Sequence, residues 1–265
     1  MLGVLRRPFL ANLWGKVRPE HSEKSTLPTT VFHITHLKAG SQWVNAILHT
    51  LAYQYLVIPE VDNNNFFYKP IIEGKIYPTL YVTYQEFCSV SLPRRHRKFV
   101  IIRDLRDTLI SLYFSIKYSH PIQKNTHHEI RHKLNELDIE DGLLFLTERM
   151  LFIPAKIQWS WLAAQERLYR YEDLLDHDEE LFEEIFLKVC RLPFTRQQIR
   201  QAVQQHRFEV RTNGRPRGVE DVHAHERKGI AGDWRNYFTE KVKSQIKFRY
   251  GSLLIATGYE KDFNW

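Results

Sequence analysis

Cysteine is scarce in this chain, which contains only Cys88 and Cys190 among its 265 residues. Two thiols cannot form a disulfide framework, nor can they supply the ligand set of a cysteine-based zinc site. Long hydrophobic runs are also missing, because apolar patches such as residues 99–102 are far shorter than the roughly 20 residues of a membrane-spanning helix. We therefore expect a protein of a reducing, cytoplasmic compartment without a membrane span.

Acidic residues are outnumbered, because 38 Lys and Arg residues face 31 Asp and Glu residues and give a formal net charge of +7. This excess attracts anions and leaves nucleic acid, anionic lipid and phosphorylated small molecules open as partners. The length and the 43% apolar content fit one substantial hydrophobic core. We expect one domain over residues 29–265, preceded by an arm over residues 1–28 that either frays or presents an amphipathic stripe.

Two units of strand, loop and helix are visible in the hydrophobic pattern. A β-branched run at residues 29–35 precedes a glycine-containing loop, and apolar residues then recur at helical spacing from Ser41, the expected N-cap, to about Leu56. A second unit spans residues 98–117. Because such units form parallel strands joined by helices, we predict an α/β fold, a single domain with a central, mainly parallel β-sheet flanked by helices.

The remaining pattern adds further elements around this sheet. We predict strands at residues 79–84 and 167–171, helices over residues 139–165, 179–190 and 195–206, and a loop at residues 211–218. The loop contains Asn, Gly and Pro, which are the residue types that favour turns. It is therefore expected to be a mobile segment in the last third of the chain.

Three loops carry residue types that bind phosphate. The first strand leads into Lys38 and Gly40 at a helix N-terminus, where the lysine charge, the backbone N–H groups and the helix dipole can face an anion. The lysine precedes the glycine, so this is not a Walker A loop. Arg103 and Ser111 follow the second strand, and residues 227–229 join two cations to a glycine. Each loop alone also fits an ordinary helix cap, surface ion pair or solvated turn.

Taken together and in order, four segments resemble the motifs of the sulfotransferase family, enzymes that move a sulfuryl group from 3′-phosphoadenosine 5′-phosphosulfate (PAPS) to an acceptor hydroxyl or amine. The segments are THLKAGSQW (35–43), IIRDLRDTLISLYF (101–114), YRYEDLL (169–175) and RKGIAGDWRNYFT (227–239). The resemblance covers nearly all of the expected domain. It implies a P-loop-like phosphosulfate-binding loop, PAPS as the donor, no metal, and a small-molecule acceptor rather than nucleic acid.

The resemblance also implies a role for each matching residue. Lys38 is the expected catalytic residue, because it would neutralise charge on the bridging oxygen as the S–O bond breaks. Trp43 and Phe208 would sandwich the adenine, with the Tyr171 hydroxyl close to it. The loop backbone would hold the 5′ end of the donor, and the cations would hold its 3′-phosphate. The residues implied to bind the donor are Lys38, Ala39, Gly40, Ser41, Gln42, Trp43, Arg103, Ser111, Tyr171, Phe208, Arg227, Lys228 and Gly229.

Two positions depart from the family pattern. Many members carry a catalytic histidine in a Lys-Thr-His stretch between the two phosphate loops, and the best counterpart here, residues 82–84, ends in Tyr84. Arg207 stands where a small hydroxyl residue is usual before Phe208, and it offers a further cation to phosphate. The general base stays open. The candidates by position are His36, Glu60, Asp62 and Glu86.

Two other functions compete with sulfuryl transfer. One is a non-catalytic nucleotide-binding protein of the same fold, which the retained Lys38 disfavours. The other is a nucleic-acid-binding module, which needs basic residues interleaved with aromatic ones on one surface rather than in discrete loops. The acceptor is expected to lie between residues 59–84, 118–149 and 211–225, whose mixed side chains suit an aromatic or lipid-like alcohol as readily as a sugar. Nothing in the sequence indicates the oligomeric state.

Overall fold

The structure is a computed structural model that describes residues 27–119 and 125–265. The arm expected over residues 1–28 lies outside these ranges, apart from its last two residues. Within them, the strands are β1 (Thr30–Ile34), β2 (Ile76–Leu80), β3 (His96–Ile102) and β4 (Leu168–Arg170). They form one parallel sheet in the order β2–β1–β3–β4. The prediction of an α/β fold with a parallel central sheet is confirmed.

Helices surround this sheet. They are α1 (Ser41–Ala52), α2 (Asn64–Phe67), α3 (Tyr84–Cys88), α4 (Leu105–Phe114), α5 (Asn125–Glu136), α6 (Ile139–Arg149), α7 (Phe152–Ala163), α8 (Tyr171–Asp176), α9 (Asp178–Glu183), α10 (Arg196–Gln205), α11 (Phe208–Arg211) and α12 (Glu240–Ala256). Single π-helical turns at Ser115–Ser119 and Glu184–Val189 extend α4 and α9, and short 3₁₀ turns lie at Tyr53–Tyr55 and Asp233–Asn236. The strand predicted at residues 167–171 is confirmed to within a few residues. The same holds for the helices predicted over residues 139–165, 179–190 and 195–206.

Alternate residues of the strands face two layers of helices. On one face, Val31 and Ile101 belong to a core with α1, α10 and the π-helical turn that extends α9. On the other, Phe32 and Val100 pack with aromatic side chains of α2, α3 and α7. All residues of β1 and β2 are buried, as expected for parallel strands covered on both sides. A further apolar core joins α4, α6 and α12 beside the sheet.

The strand predicted at residues 79–84 is misplaced. β2 ends at Leu80, and Thr83 begins α3 as a capping box: its hydroxyl accepts the Glu86 N–H, while the Glu86 carboxylate accepts the Thr83 N–H at 2.7 Å. This local exchange of hydrogen bonds overrides the strand-like alternation. β2 also contains Pro78, which is tolerated because β2 is an edge strand.

The start of α1 also differs from the expectation. Gly40, with a φ of 80°, is the N-cap, and Ser41 is the first helical residue. The Ser41 hydroxyl does not cap the helix and instead forms a hydrogen bond with the Tyr81 hydroxyl at 2.9 Å. Because all four strands are parallel, this loop and the one after β3 meet at the carboxyl edge of the sheet, where ligands bind in open α/β folds.

A buried arginine ties α4 to the C-terminal part of the chain. Arg106 is 1% exposed, and its guanidinium donates hydrogen bonds to the carboxylates of Asp104 and Glu260. It also lies 4.1 Å from the ring centroid of Trp234 and 4.4 Å from that of Trp265. Two carboxylates and two aromatic faces therefore replace the water that this cation has lost.

We predict that Arg106→Met lowers the free energy of unfolding by about 3–5 kcal/mol, because it leaves two carboxylates without their buried partner. Chemical denaturation followed by circular dichroism measures the loss. The exposed Arg94→Met serves as the matched control and should change the free energy of unfolding by no more than about 0.5 kcal/mol. Equal effects of the two substitutions would show that the buried network does not stabilise the fold.

Candidate functional site

A cavity of about 370 Å³ opens at the carboxyl edge of the sheet, where the loops after β1 and β3 meet. All the residues predicted to bind the donor, except Ala39, line it. They are Lys38, Gly40, Ser41, Gln42, Trp43, Arg103, Ser111, Tyr171, Phe208, Arg227, Lys228 and Gly229. Ala39 is fully buried behind the wall, and its N–H is directed to the His36 carbonyl at 3.3 Å. Segments that are far apart in sequence thus converge on one space.

The loop after β1 makes its turn through left-handed backbone conformations at Lys38 and Gly40, with φ of 67° and 80°. Glycine is needed at position 40 for a second reason, since a Cβ there would lie 2.7 Å from carbon atoms of the Tyr171 ring. The first hydrogen bond of α1 runs from the Trp43 N–H to the Gly40 carbonyl. The N–H groups of Ser41 and Gln42 precede it, so they belong to the helix end that favours an anion.

The lysine of this loop lies in a strongly cationic environment. Burial, together with the positive charges of Arg103 and Arg227 and against the influence of Glu226, lowers the pKa of Lys38 to about 8. Lys38 is therefore charged at neutral pH but close to its titration range. An anion beside it would restore the pKa toward the ordinary lysine value.

Arg103 joins the loop after β3 to the loop after β1. Its Nη1 donates to the Lys38 carbonyl at 3.0 Å, and its guanidinium lies 4.8 Å from the ring centroid of Tyr171. Its Nε is buried and has no hydrogen-bond partner among the described residues. A buried donor without an acceptor is costly, and Arg103 belongs to the cavity wall, so its guanidinium is a cationic group with hydrogen-bonding capacity left for an anion.

The third cationic loop is held together by a carboxylate. Asp233 accepts hydrogen bonds from Lys228 at 2.6 Å and from Arg227, which also reaches Glu220. Although burial opposes the shift, Lys228 and Arg227 hold the pKa of Asp233 below its ordinary value. Gly229 is again a close approach, because a Cβ there would lie 2.5 Å from the Phe208 ring.

Asp107 fastens this loop to the body of the fold. Its carboxylate, 1% exposed, accepts the N–H groups of Gly232 at 2.6 Å and Trp234 at 3.0 Å. Burial raises its pKa despite the positive charge of Arg103 nearby. Since Asp107 lies in the first turn of α4, the two cations at 227 and 228 are fixed relative to the helix that carries Ser111.

None of the candidates for the general base lines the cavity. His36 is buried, and its Nε2 accepts hydrogen bonds from the Arg103 N–H at 3.1 Å and from Gln158 at 2.8 Å. Burial lowers the pKa of His36 to about 4, so the ring stays neutral, with its other nitrogen 2.9 Å from the Leu37 carbonyl. Its place is that of a structural connection between the loops after β1 and β3.

The carboxylate candidates also have local structural roles. Glu60 accepts the Asn65 N–H at 2.6 Å, and Glu86 closes the capping box of α3. Asp62 is exposed in the segment that follows α1 and lies off the wall. Tyr84, which stands where the family histidine is expected, does not line the cavity either. Its ring packs edge-on against Trp161, with ring centroids 5.2 Å apart.

In the segment between the loops after β1 and β3, the tyrosine that lines the cavity is Tyr81 and not Tyr84. Its hydroxyl meets that of Ser41 at the start of α1, and burial raises its pKa. The Arg207 expectation is likewise wrong, since this arginine lies off the cavity and bonds to Asp178 and Glu179 at 2.7 Å. It connects the start of α11 to α9 instead of serving phosphate.

Two of the three segments expected to border the acceptor reach the cavity. Residues 59–84 contribute Val61 and Tyr81, and residues 211–225 contribute Arg211, Arg217 and His225. The described part of residues 118–149 contributes no lining side chain. The remaining lining residues were not predicted from the sequence to border the cavity. They are Leu37, Leu112, Ser115, Ile116, Met150, Leu175, His206, Glu226 and Ile230. Of these, Glu226 could have been predicted from the sequence, because it directly precedes the Arg-Lys-Gly motif.

Two kinds of feature, a metal-binding cluster and a membrane-spanning helix, are absent from the described residues. In residues 27–119 and 125–265, no three His, Cys, Asp or Glu side chains are grouped so that they could hold a metal ion. No helix in these ranges is long and apolar enough to cross a membrane. Cys88 is exposed and Cys190 is buried, and both are free thiols.

Solved structures with the same architecture are sulfotransferase-like proteins. Mouse sulfotransferase SULT7A1 complexed with PAP superposes with a TM-score of 0.58 at 14% sequence identity, over 87% of this chain and 88% of that one. Retinol dehydratase in complex with androsterone and the inactive cofactor PAP gives a TM-score of 0.51 at 18% identity, over 87% and 82%. At such identities the superpositions establish a shared fold.

The sequence itself carries the family assignment. The family model of the sulfotransferase domain matches residues 28–258, a range that contains all four strands and every residue that lines the cavity. No curated protein matches the chain. Because the match extends over most of its length, the chain belongs to the sulfotransferase domain family.

Proposed function

We propose that this protein transfers a sulfuryl group from PAPS to a hydroxyl or amine of a small-molecule acceptor. The observation that carries the proposal is the convergence of Lys38, Arg103 and the cationic pair at 227 and 228 on one cavity. PAPS is activated by its phosphosulfate anhydride, so the protein has to align the reactants and stabilise charge. The cytoplasmic location stays a prediction from the sequence.

The two phosphate loops would perform different tasks. The N–H groups at the start of α1 and the charge of Lys38 would hold the 5′-phosphosulfate, and Lys38 would stabilise the oxygen that separates from sulfur. Arg103, with its unpaired Nε, would receive the 3′-phosphate together with Ser111 and the cationic pair. This second site is what would distinguish PAPS from nucleotides that lack a 3′-phosphate.

The rest of the wall favours an apolar acceptor. Leu112, Ile116, Met150 and Ile230 supply aliphatic side chains to the cavity, with Ser115 among them. Such a surface gains free energy from the burial of a ring or a chain and leaves the hydroxyls of a sugar without partners. The complex of retinol dehydratase with androsterone is compatible with this choice. We therefore place an apolar alcohol or phenol before a sugar as the acceptor.

Binding of adenosine 3′,5′-bisphosphate (PAP) tests the donor site without an acceptor. By calorimetry, PAP should bind at least roughly tenfold more tightly than adenosine 5′-monophosphate, since the 3′-phosphate adds charge-assisted hydrogen bonds. Arg103→Ala should abolish most of this preference. Arg207→Ala is the matched control and should keep it, because the ratio compares two ligands with the same adenine. Equal affinities in the unmodified protein would refute the proposed donor.

Lys38→Ala should lower turnover far more than donor affinity. We expect kcat to fall by about 10²–10³-fold, because the substitution removes charge stabilisation that is needed mainly in the transition state, while the Kd of PAP rises less than tenfold. Release of PAP from PAPS is measured with 4-nitrophenol, with benzyl alcohol and with water alone as acceptors. The exposed Lys156→Ala should match the unmodified protein. Equal losses in kcat and in affinity would contradict the role of Lys38.

Proton uptake on PAP binding reports Lys38 directly. Its pKa is about 8 in the free protein because of burial and neighbouring cations, and a phosphate beside it should raise this pKa. Binding at pH 8 should then take up about half a proton, and the affinity should decrease as the pH rises above 8. Calorimetry in two buffers of different ionisation enthalpy measures the uptake. Lys38→Met should remove it, and an unchanged uptake in this variant would assign the proton elsewhere.

A further inference from the structure

The proposed reaction needs a group that accepts the proton of the incoming hydroxyl, and the candidates chosen by sequence lie off the cavity. The wall itself offers another histidine. His225 lines the cavity together with Lys38 and precedes Arg227 by two residues in the loop that leads to the cationic pair. The residue as a whole is also exposed to solvent, although the cavity walls remove part of the water around its ring.

The other proton-accepting side chains of the wall are engaged. Glu226 accepts two hydrogen bonds from the guanidinium of Arg211, one of them at 2.9 Å, so its charge is already paired. The Tyr81 hydroxyl is bonded to Ser41, and burial raises its pKa, which makes it a donor rather than a base. These groups therefore stabilise the wall instead of accepting a proton from an acceptor.

The second histidine of the wall is also occupied. The Nε2 of His206 lies 2.7 Å from the Thr50 hydroxyl, at the C-terminal end of α1 and thus away from the loop that carries Lys38. No hydrogen bond from the ring of His225 to another described residue is found, and only burial and neighbouring charges act on its pKa. A neutral imidazole in this position keeps a ring nitrogen with a free lone pair.

The charges around His225 keep it neutral before the reaction. Removal of water by the cavity walls lowers its pKa, the positive charges of Lys38 and Arg211 lower it further, and Glu226 opposes them. The ring is therefore unprotonated at neutral pH, which is the form a general base requires. Once protonated, it would have the Glu226 carboxylate as the adjacent residue and solvent on its exposed side.

We propose that His225 is the general base of this enzyme, an inference that rests on the proposed sulfuryl transfer. A ring nitrogen of His225 takes the proton of the acceptor hydroxyl while the acceptor oxygen forms its bond to sulfur. The bond between sulfur and the bridging oxygen breaks, and its electron pair leaves on PAP, where Lys38 stabilises it. The imidazolium then returns its proton to solvent.

The same loop provides a matched control. His223 lies two residues earlier, is exposed, and packs edge-on against Tyr118 with ring centroids 5.9 Å apart. It does not line the cavity. His223→Gln therefore makes the same chemical change in the same loop without removing a base from the wall.

His225→Gln should lower kcat/KM for benzyl alcohol by about 10²-fold or more, while the Kd of PAP changes less than about twofold. His223→Gln should change neither. With 4-nitrophenol, which loses its proton near neutral pH without help from a base, the loss in His225→Gln should be much smaller. The unmodified enzyme should lose kcat/KM on acidification with a midpoint below about 6.5, and this acid limb should be missing in His225→Gln.

The outcomes separate this inference from the proposed function. An unmodified protein that neither prefers PAP to adenosine 5′-monophosphate nor releases PAP from PAPS refutes sulfuryl transfer, and the role of His225 with it. If the unmodified protein transfers sulfuryl groups and His225→Gln shows the same rates and the same acid limb, only the role of His225 as the general base is refuted. Equal losses for both histidine variants, or a parallel loss of PAP affinity, would identify a structural contribution of the loop and overturn the base. If neither alcohol is a substrate, the same comparison is made on PAP release with water as the acceptor.

Discussion

The crowding of like charges in one cavity is the constraint on which the site depends. Lys38, Arg103, Arg227 and Lys228 repel one another, and the fold has to hold them together before any anion arrives. It does so with carboxylates placed behind the cations: Asp233 pairs with Arg227 and Lys228, and Asp107 fixes the backbone of their loop. Burial, and after it the remaining repulsion from Arg103 and Arg227, lowers the pKa of Lys38.

Backbone geometry brings the cations close enough to share a ligand. Parallel strands place the loops after β1 and β3 at the same edge, and Arg103 spans them through the Lys38 carbonyl. Two glycines with positive φ complete the arrangement, because Gly40 lies against Tyr171 and Gly229 lies against Phe208 at distances that exclude a Cβ. The aromatic side chains and the phosphate loops are therefore packed as one unit rather than as separate walls.

The sequence was sufficient to predict the parallel sheet and most of the cavity, because the loops at strand ends carry contiguous signals. The sequence was insufficient where contacts between distant residues determine whether a side chain lines the cavity. Arg207 looks like a phosphate ligand until Asp178 and Glu179 are brought beside it from 29 and 28 residues away. The match of residues 82–84 to the family stretch points to Tyr84, but the capping box at Thr83 starts α3 there, and the preceding Tyr81 lines the cavity. His225 was included only in a predicted wall, since no pattern tells which side chain of an irregular loop faces a cavity.

The two halves of the cationic site are prepared differently for an anion. Arg227 and Lys228 already share an ionised partner, Asp233, so a phosphate has to join or displace an existing ion pair. Near Arg103, burial raises the pKa of Glu172 to about 7 and also raises that of Asp107, while the positive charge of Arg103 opposes both shifts. Arg103 keeps a buried Nε without a hydrogen-bond partner among the described residues. Its guanidinium donates to the Lys38 carbonyl and to no carboxylate of the described residues, whereas the pair at 227 and 228 is already bonded to Asp233, so the two halves would meet an incoming phosphate in different states.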